Sequence, residues 1–327
     1  MKILIFGAGV IGVTYAWQLS EAGCDITLLA RPDKAEQLKQ NGIQIECLDT
    51  RGLKQTLTRT VYRPAIVSEL RTEGRYDLII VAVNSHQISE VLPVLKEKAG
   101  QTDILFFSNN WSGIEEIAQV LPPEQYFFGY PFKAGGGRDA NGIQTVIFGT
   151  RFTDTVLGEK DGTVSARVKR IHQALKKARM NPVISKDIVG YLQAHYIWAA
   201  ANVGAYMQAG SYQRFASDWR GMRALYLAMR EGFEVCRARG VDPARIWPTS
   251  FYYLPLFLLV PFSRMLYRMP VMQRMFEGHV LHSPAEMHAM YYEVLQSGKQ
   301  HHISMPVYES YQPAVEQFYE AAMRRAG

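Results

Sequence analysis

The chain has 327 residues, 48% hydrophobic and 20% charged, with 36 basic against 30 acidic side chains and a net charge of +6. These proportions are those of a soluble globular protein and exclude a disordered chain, a collagen-like chain and a small disulfide scaffold. The length suits about two domains. Cys24, Cys47 and Cys236 cannot all pair and lack metal-ligand spacing, so a reducing cytoplasm is the expected setting. The modest positive excess suits an anionic ligand and does not point to nucleic acid.

KILIF at the start reads as a strand, Val10 to Ala22 as a helix and DITLLA as a second strand. DLIIVAV and DILFFS supply a third and a fourth. Residues 127–160 are rich in Gly and short strands, including VIFG and TVLGE. A helix over Ala166–Arg179 and the strand PVIS follow. Short strands separated by helices predict a parallel α/β sheet. Near residue 185 the pattern turns helical, which divides the chain into an α/β domain, 1–185, and an all-α domain, 186–327. Met222, Leu225, Met229, Phe233 and Cys236 mark one face of a helix ending at Gly240. The longest apolar run, FYYLPLFLLVPF from Phe251 to Phe262, contains two prolines and falls well short of the ~20 residues that span a bilayer. It reads as core or as a subunit interface, with a homodimer as the expected assembly and no membrane span. The opening apolar run is too short for a signal-peptide core.

Gly7-Ala8-Gly9-Val10-Ile11-Gly12 is a GxGxxG motif placed between a strand and a helix. Gly7 permits the tight turn, Gly9 lets the backbone approach a pyrophosphate, and Gly12 lets helix and strand pack closely. The helix start offers free N–H groups and the positive end of its dipole. At the end of the second strand an NAD-binding domain usually carries an acid. This chain has Ala30-Arg31-Pro32 instead, with Lys34 close by. A guanidinium pairs with a 2′-phosphate, so NADP(H) is the expected cofactor.

KILIFGAGVIG, LLAR, DLIIVAVNSHQ, NNWSGIEE and GYPFKAGGG together resemble the ketopantoate reductase family. The resemblance implies an N-terminal Rossmann domain, an all-α C-terminal domain, and NADPH-dependent reduction of a 2-oxo acid. It also implies a Lys beside the reacting oxygen, with an Asn and a Glu that hold cofactor and substrate. The Asn falls at Asn110, in Asn110-Trp111-Ser112-Gly113, with Asn109 as the alternative in a shifted register. A strand-end Asn that caps the next helix is the competing reading. The Glu falls at Glu286, although Ser283-Pro284-Ala285-Glu286 also reads as a capping box; Glu293 shares its helix face. Asn84 stands where the family often has a Lys near the cofactor. The catalytic Lys is replaced by Gln193, on a helix predicted over Asp187–Ala209 that contains no Lys. A Gln donates a hydrogen bond but releases no proton at neutral pH. His195 and Lys133 are therefore the candidate proton donors, His195 lying about 200° round the helix from Gln193.

No HxxxH or HExxH pattern is present, so no metal is expected. The Arg series 214, 220, 223, 230, 237 and 239 winds round a helix as a solvated face. Three functions remain open: an NADPH-dependent reductase of another 2-oxo acid or ketone, a ketopantoate reductase with a substitute proton donor, and a non-catalytic NADP(H) sensor.

Overall fold

The computed structural model describes residues 1–71, 76–139, 142–149, 153–274, 276 and 284–326. Two compact units make up the chain, Met1–Val189 and Gly190–Gly327.

The first unit is organised around β1 (Lys2–Phe6). Ile3, Leu4 and Ile5 are all fully buried, as a parallel strand covered on both faces requires. β1 lies parallel between β2 (Asp25–Leu29) and β6 (Leu78–Val81). Beyond β2 comes β5 (Ala65–Val67), and beyond β6 come β7 (Asp103–Phe107), β8 (Tyr126–Pro131), β11 (Thr155–Gly158) and β12 (Pro182–Ile184). The resulting order is β12-β11-β8-β7-β6-β1-β2-β5, with β11 antiparallel to β8. The chain builds outward from β1 in one direction and then resumes at β6 on its other side. That reversal creates the crevice at which open α/β sheets bind ligands. The connecting helices are α1 (Val10–Glu21), α2 (Pro32–Asn41), α3 (Ile88–Lys98), α4 (Gly113–Val120) and α5 (Ala166–Lys177). This is the Rossmann-type arrangement expected from the sequence.

A second sheet, of which the sequence reading identified only the VIFG strand, has the order β4-β3-β10-β9. Its strands are β3 (Ile43–Asp49), β4 (Thr56–Tyr62), β9 (Ala134–Asp139) and β10 (Gly142–Ile147). The AGGG stretch opens strand β9. Gly136 takes φ +148°, and a Cβ there would lie 2.0 Å from the Gln144 carbonyl oxygen, so glycine is what lets β9 approach β10. Thr14 on α1 donates to the Thr145 hydroxyl, which donates to the Gly135 carbonyl. These bonds tie α1 to the second sheet.

Among the described residues, the second unit contains α6 (Ile188–Ala209, which begins at the end of the first unit), α7 (Tyr212–Ser217), α8 (Trp219–Ala238), α9 (Leu256–Tyr267), α10 (Pro284–Gln300), α11 (Pro306–Glu309) and α12 (Gln312–Ala326). The predicted apolar face of α8 is buried throughout. Glu231 of α8 accepts from the backbone N–H groups of Val307 and Tyr308, which caps α11 just after Pro306. α10 and α11 meet through stacked Tyr291 and Tyr308, each hydroxyl donating to the other residue's carbonyl. The apolar run of the sequence forms α9 and the turn before it. Leu259, Val260 and Tyr267 of α9 are buried, while Leu258, Phe262 and Met265 line an exposed face. No described helix is long and apolar enough to cross a membrane.

Candidate functional site

The GxGxxG residues adopt the geometry that their sequence predicts. Gly7 takes φ +120°, and a Cβ there would meet the Ala82 carbonyl oxygen at 2.6 Å. A Cβ on Gly12 would sit 2.1 Å from the Gly7 carbonyl oxygen. Gly9 differs: a Cβ there would have no heavy atom within 4 Å. Its missing side chain leaves open space at the start of α1. Val10 begins the helix and no side chain caps it. The first N–H groups of a helix have no acceptor within it, and α1 carries no acid in its first turn. Gly9, Val10, Ile11 and Gly12 thus present an open, electropositive cradle at the carboxyl end of β1, and these residues fit a dinucleotide pyrophosphate.

Arg31 follows β2 and is largely exposed, with the carboxylate of Asp33 standing 4.0 Å away. A second guanidinium joins it that the sequence reading missed. Arg138, near the end of β9, donates to the carbonyl of Ala8 at 2.7 Å. Burial and the charge of Arg31 both push the Arg138 guanidinium below its ordinary pKa. Two like charges beside one loop are a standing demand for an anion. Arg138 was invisible in sequence because 130 residues separate it from Ala8.

Two further residues line up along this edge of the sheet. Asn84, after β6, forms a capping box with Gln87, whose side-chain oxygen accepts the Asn84 N–H at 3.3 Å. It therefore has a structural task. Asn110, between β7 and α4, is 1% exposed, and neither its amide oxygen nor its nitrogen has a partner. The side-chain oxygen of Asn109 is also buried without a partner. Capping does not explain Asn110, since Ser112 occupies the N-cap of α4 and no side chain caps that helix. A buried amide with nothing to bind costs about 1–3 kcal/mol. Two such groups two strands from β1, about 10 Å along the sheet, mark a place prepared for a polar ligand. Gly113 belongs to this arrangement, for a Cβ there would lie 2.7 Å from the Asn110 oxygen.

In the second unit, Gln193 and His195 are both buried on a regular helix despite their angular separation. α6 is apolar and buried on nearly all sides, so no face need turn to solvent. The Gln193 side-chain oxygen has no partner. His195 lies between the rings of Tyr191 and Trp198. Glu286 is 5% exposed in the first turn of α10. Its proposed capping partner, Ser283, lies outside the described residues. Tyr196 donates to Glu293 at 2.7 Å. Gln193 is three residues before Tyr196 and Glu286 seven before Glu293, so both lie on the faces that this bond joins.

Lys133 is placed elsewhere. It sits in the turn before β9 and lines a cavity with Arg51, Lys176 and Arg179. Five residue steps along β9 separate it from Arg138 and span about 17 Å, which removes it from the glycine-rich loop. Among the described residues no group of His, Cys, Asp or Glu could hold a metal ion. His279 and His282 lie outside them, and His288 is stacked on Tyr319.

Comparison with known proteins agrees with this geometry. Residues 3–161 match the family model for ketopantoate reductase PanE/ApbA. That match covers just under half of the chain and lies wholly within the first unit. An uncharacterized oxidoreductase of Bacillus subtilis, YkpB, is 27% identical over 62% of this chain and 64% of its own length, so the chain spans just under two thirds of that relative. The 2-dehydropantoate 2-reductase of Pyrococcus horikoshii is 23% identical over 74% of this chain and 75% of its own. Among solved structures, D-mandelate dehydrogenase with NADH and anilino(oxo)acetate superposes with a TM-score of 0.74 at 16% identity, covering 98% of this chain and 99% of that one. The 2-dehydropantoate 2-reductase of Methylococcus capsulatus gives 0.70 at 22% identity, with 98% of each chain covered. At these identities the superpositions show a shared fold. The relatives named here are oxidoreductases by name, a 2-dehydropantoate 2-reductase and a D-mandelate dehydrogenase among them.

Proposed function

We propose that the protein is a nicotinamide-dependent reductase that takes NADPH as its cofactor and reduces the carbonyl of a 2-oxo acid or related ketone. The first unit binds the cofactor and the second supplies substrate contacts. The observation that carries this reading is the open cradle at Gly9, flanked by Arg31 and Arg138. A 2′-phosphate pairs with the guanidiniums of Arg31 and Arg138, whose charges repel each other without it.

When bound, the reduced nicotinamide supplies the hydride. The chain's own residues do the remaining work. The free amide of Asn110 orients the carboxamide or the substrate through hydrogen bonds. Gln193 donates to the oxygen that becomes an alkoxide, which stabilises charge without delivering a proton. Glu286 orients the substrate through its polar groups. The reduction also needs a proton, which solvent or an imidazole such as His195 supplies; His195 lies about 200° round α6 from Gln193 and does not share its hydrogen bond to that oxygen. Replacement of the expected Lys by Gln favours an acceptor other than ketopantoate, since the family's charge-based stabilisation is missing. The same replacement supports one second reading, an NADP(H) sensor that turns nothing over.

The test is NADPH oxidation by the purified protein, with ketopantoate beside a panel of larger 2-oxo acids and ketones. Turnover of a panel member with little activity on ketopantoate is the expected result. Tight NADPH binding with silence across the panel would replace the reductase by the sensor. Failure to bind either nucleotide would overturn both.

A further inference from the structure

A cavity of about 430 Å³ opens in the first unit, within the size range of small-molecule sites. Its walls carry Arg51, Lys133, His172, Lys176, Arg179 and Asn181, and none of the described lining residues is acidic. Arg51 braces the wall: its guanidinium engages Asp49, Gln18 and the carbonyls of Ala178 and Arg179. Lys133 comes from the turn before β9 and is only 4% exposed. Burial lowers its pKa, against the pull of Asp154. His172 and Lys176 are one turn apart on α5 and share a face.

Arg179 adds an independent sign. Helix α5 ends in a Schellman turn, with Met180 N–H bonded to the Leu175 carbonyl and Arg179 N–H to that of Lys176. The residue at the left-handed position of such a turn is usually Gly. Here it is Arg179, at φ 58°. A side chain held there is strained, and strain of this kind accumulates at functional sites. Arg179 lines the cavity, and so does Asn181, which is left-handed as well at φ 45°.

We propose that this cavity is a second anion site, separate from the glycine-rich loop, that binds a phosphate-bearing small molecule. Its donors come from three elements: the turn before β9, helix α5 and the turn after α5. A tetrahedral phosphoryl group offers oxygens in several directions and can meet donors from all three, whereas a planar carboxylate offers two. Lysines serve phosphate as point charges, and Lys133 and Lys176 fill that role.

Inorganic pyrophosphate is the probe, with affinity read by calorimetry and stability by thermal unfolding. Saturable binding to the wild-type protein is expected. Combining Lys176→Ser with Arg179→Gly should weaken it at least tenfold without lowering Tm, because Gly relieves the left-handed strain. Gly9→Val closes the glycine-rich loop to a pyrophosphate group and should leave binding intact. No saturable binding, or loss through Gly9→Val and none through the double variant, would overturn the site. Citrate binding as tightly as pyrophosphate would overturn the phosphate assignment.

Discussion

The glycine-rich loop and helix α6 carry their chemistry in opposite ways. The loop works through backbone: an open face at Gly9, free N–H groups and close contacts at Gly7 and Gly12. Its working parts are consecutive in the chain, and changing any one has a geometric consequence that can be stated in advance. α6 works through the identity of side chains on a helix buried almost all round. Nothing in its pattern says which buried residue faces a ligand. A site made of backbone survives sequence divergence and remains legible; a site made of side chains can lose its Lys while the helix around it stays intact.

The two glycines that define the loop give the sharpest test of that contrast. Gly12→Val should cost about 3 kcal/mol or more through overpacking, lowering Tm by several degrees and abolishing nucleotide binding. Gly9→Val should leave stability within roughly 0.5 kcal/mol of wild type and still weaken nucleotide binding about a hundredfold. Equal destabilisation by both would mean that Gly9 is a packing residue and that its open face serves nothing.

The two arginines sharpen the cofactor reading. Arg31→Ala and Arg138→Ala should each weaken NADPH at least tenfold, about 1.4 kcal/mol, and NADH by much less. Fluorescence titration with both nucleotides decides it. Equal losses for both would move the guanidiniums from the 2′-phosphate to the pyrophosphate.

Asn110 separates fold from function at the same edge of the sheet. Its amide makes no hydrogen bond, so Asn110→Ala removes a desolvated group along with some packing. Stability should change by about 1 kcal/mol or less, while turnover or cofactor affinity falls well beyond that. A large drop in Tm with unchanged activity would make Asn110 structural.

Strands β1, β2, β6, β7, β11 and β12, helices α1 and α5, and the helices over residues 188–209 and 219–238 were legible, because apolar periodicity and the glycine motif are local signals; β5 and β8 were not singled out. The second sheet was harder. TLTRTVY is an edge strand with mostly exposed side chains, and AGGG has no side-chain pattern at all; only its pairing with β10 makes it a strand. Arg138 was missed for the same reason, since its partner Ala8 lies in another element. Lys133 was singled out as a candidate proton donor, while its neighbours, Arg51 and Arg179, come from distant segments that sequence could not bring together. Asn84 looked like a cofactor contact, and the structure gives it a capping bond that depends on the turn it starts.

The smallest effect compares the loop with the cavity through acid stability. Burial opposes the charge on Asp49, but its bonds to Arg51 outweigh that and hold its carboxyl below the usual range. A carboxylate whose pKa is lowered by folding contributes stability that is fully present above its unfolded value of ~3.9 and is lost as pH falls through the folded value. Asp49→Asn should therefore lower stability by about 1 kcal/mol at neutral pH, and the gap from wild type should close on the acid side of pH ~4. The same variant loosens Arg51, which braces the wall of the cationic cavity, and leaves the glycine-rich loop untouched. Pyrophosphate affinity should fall while NADPH affinity holds. A parallel loss of both would show that the two sites are coupled through α1, where Gln18 takes the bond from Arg51.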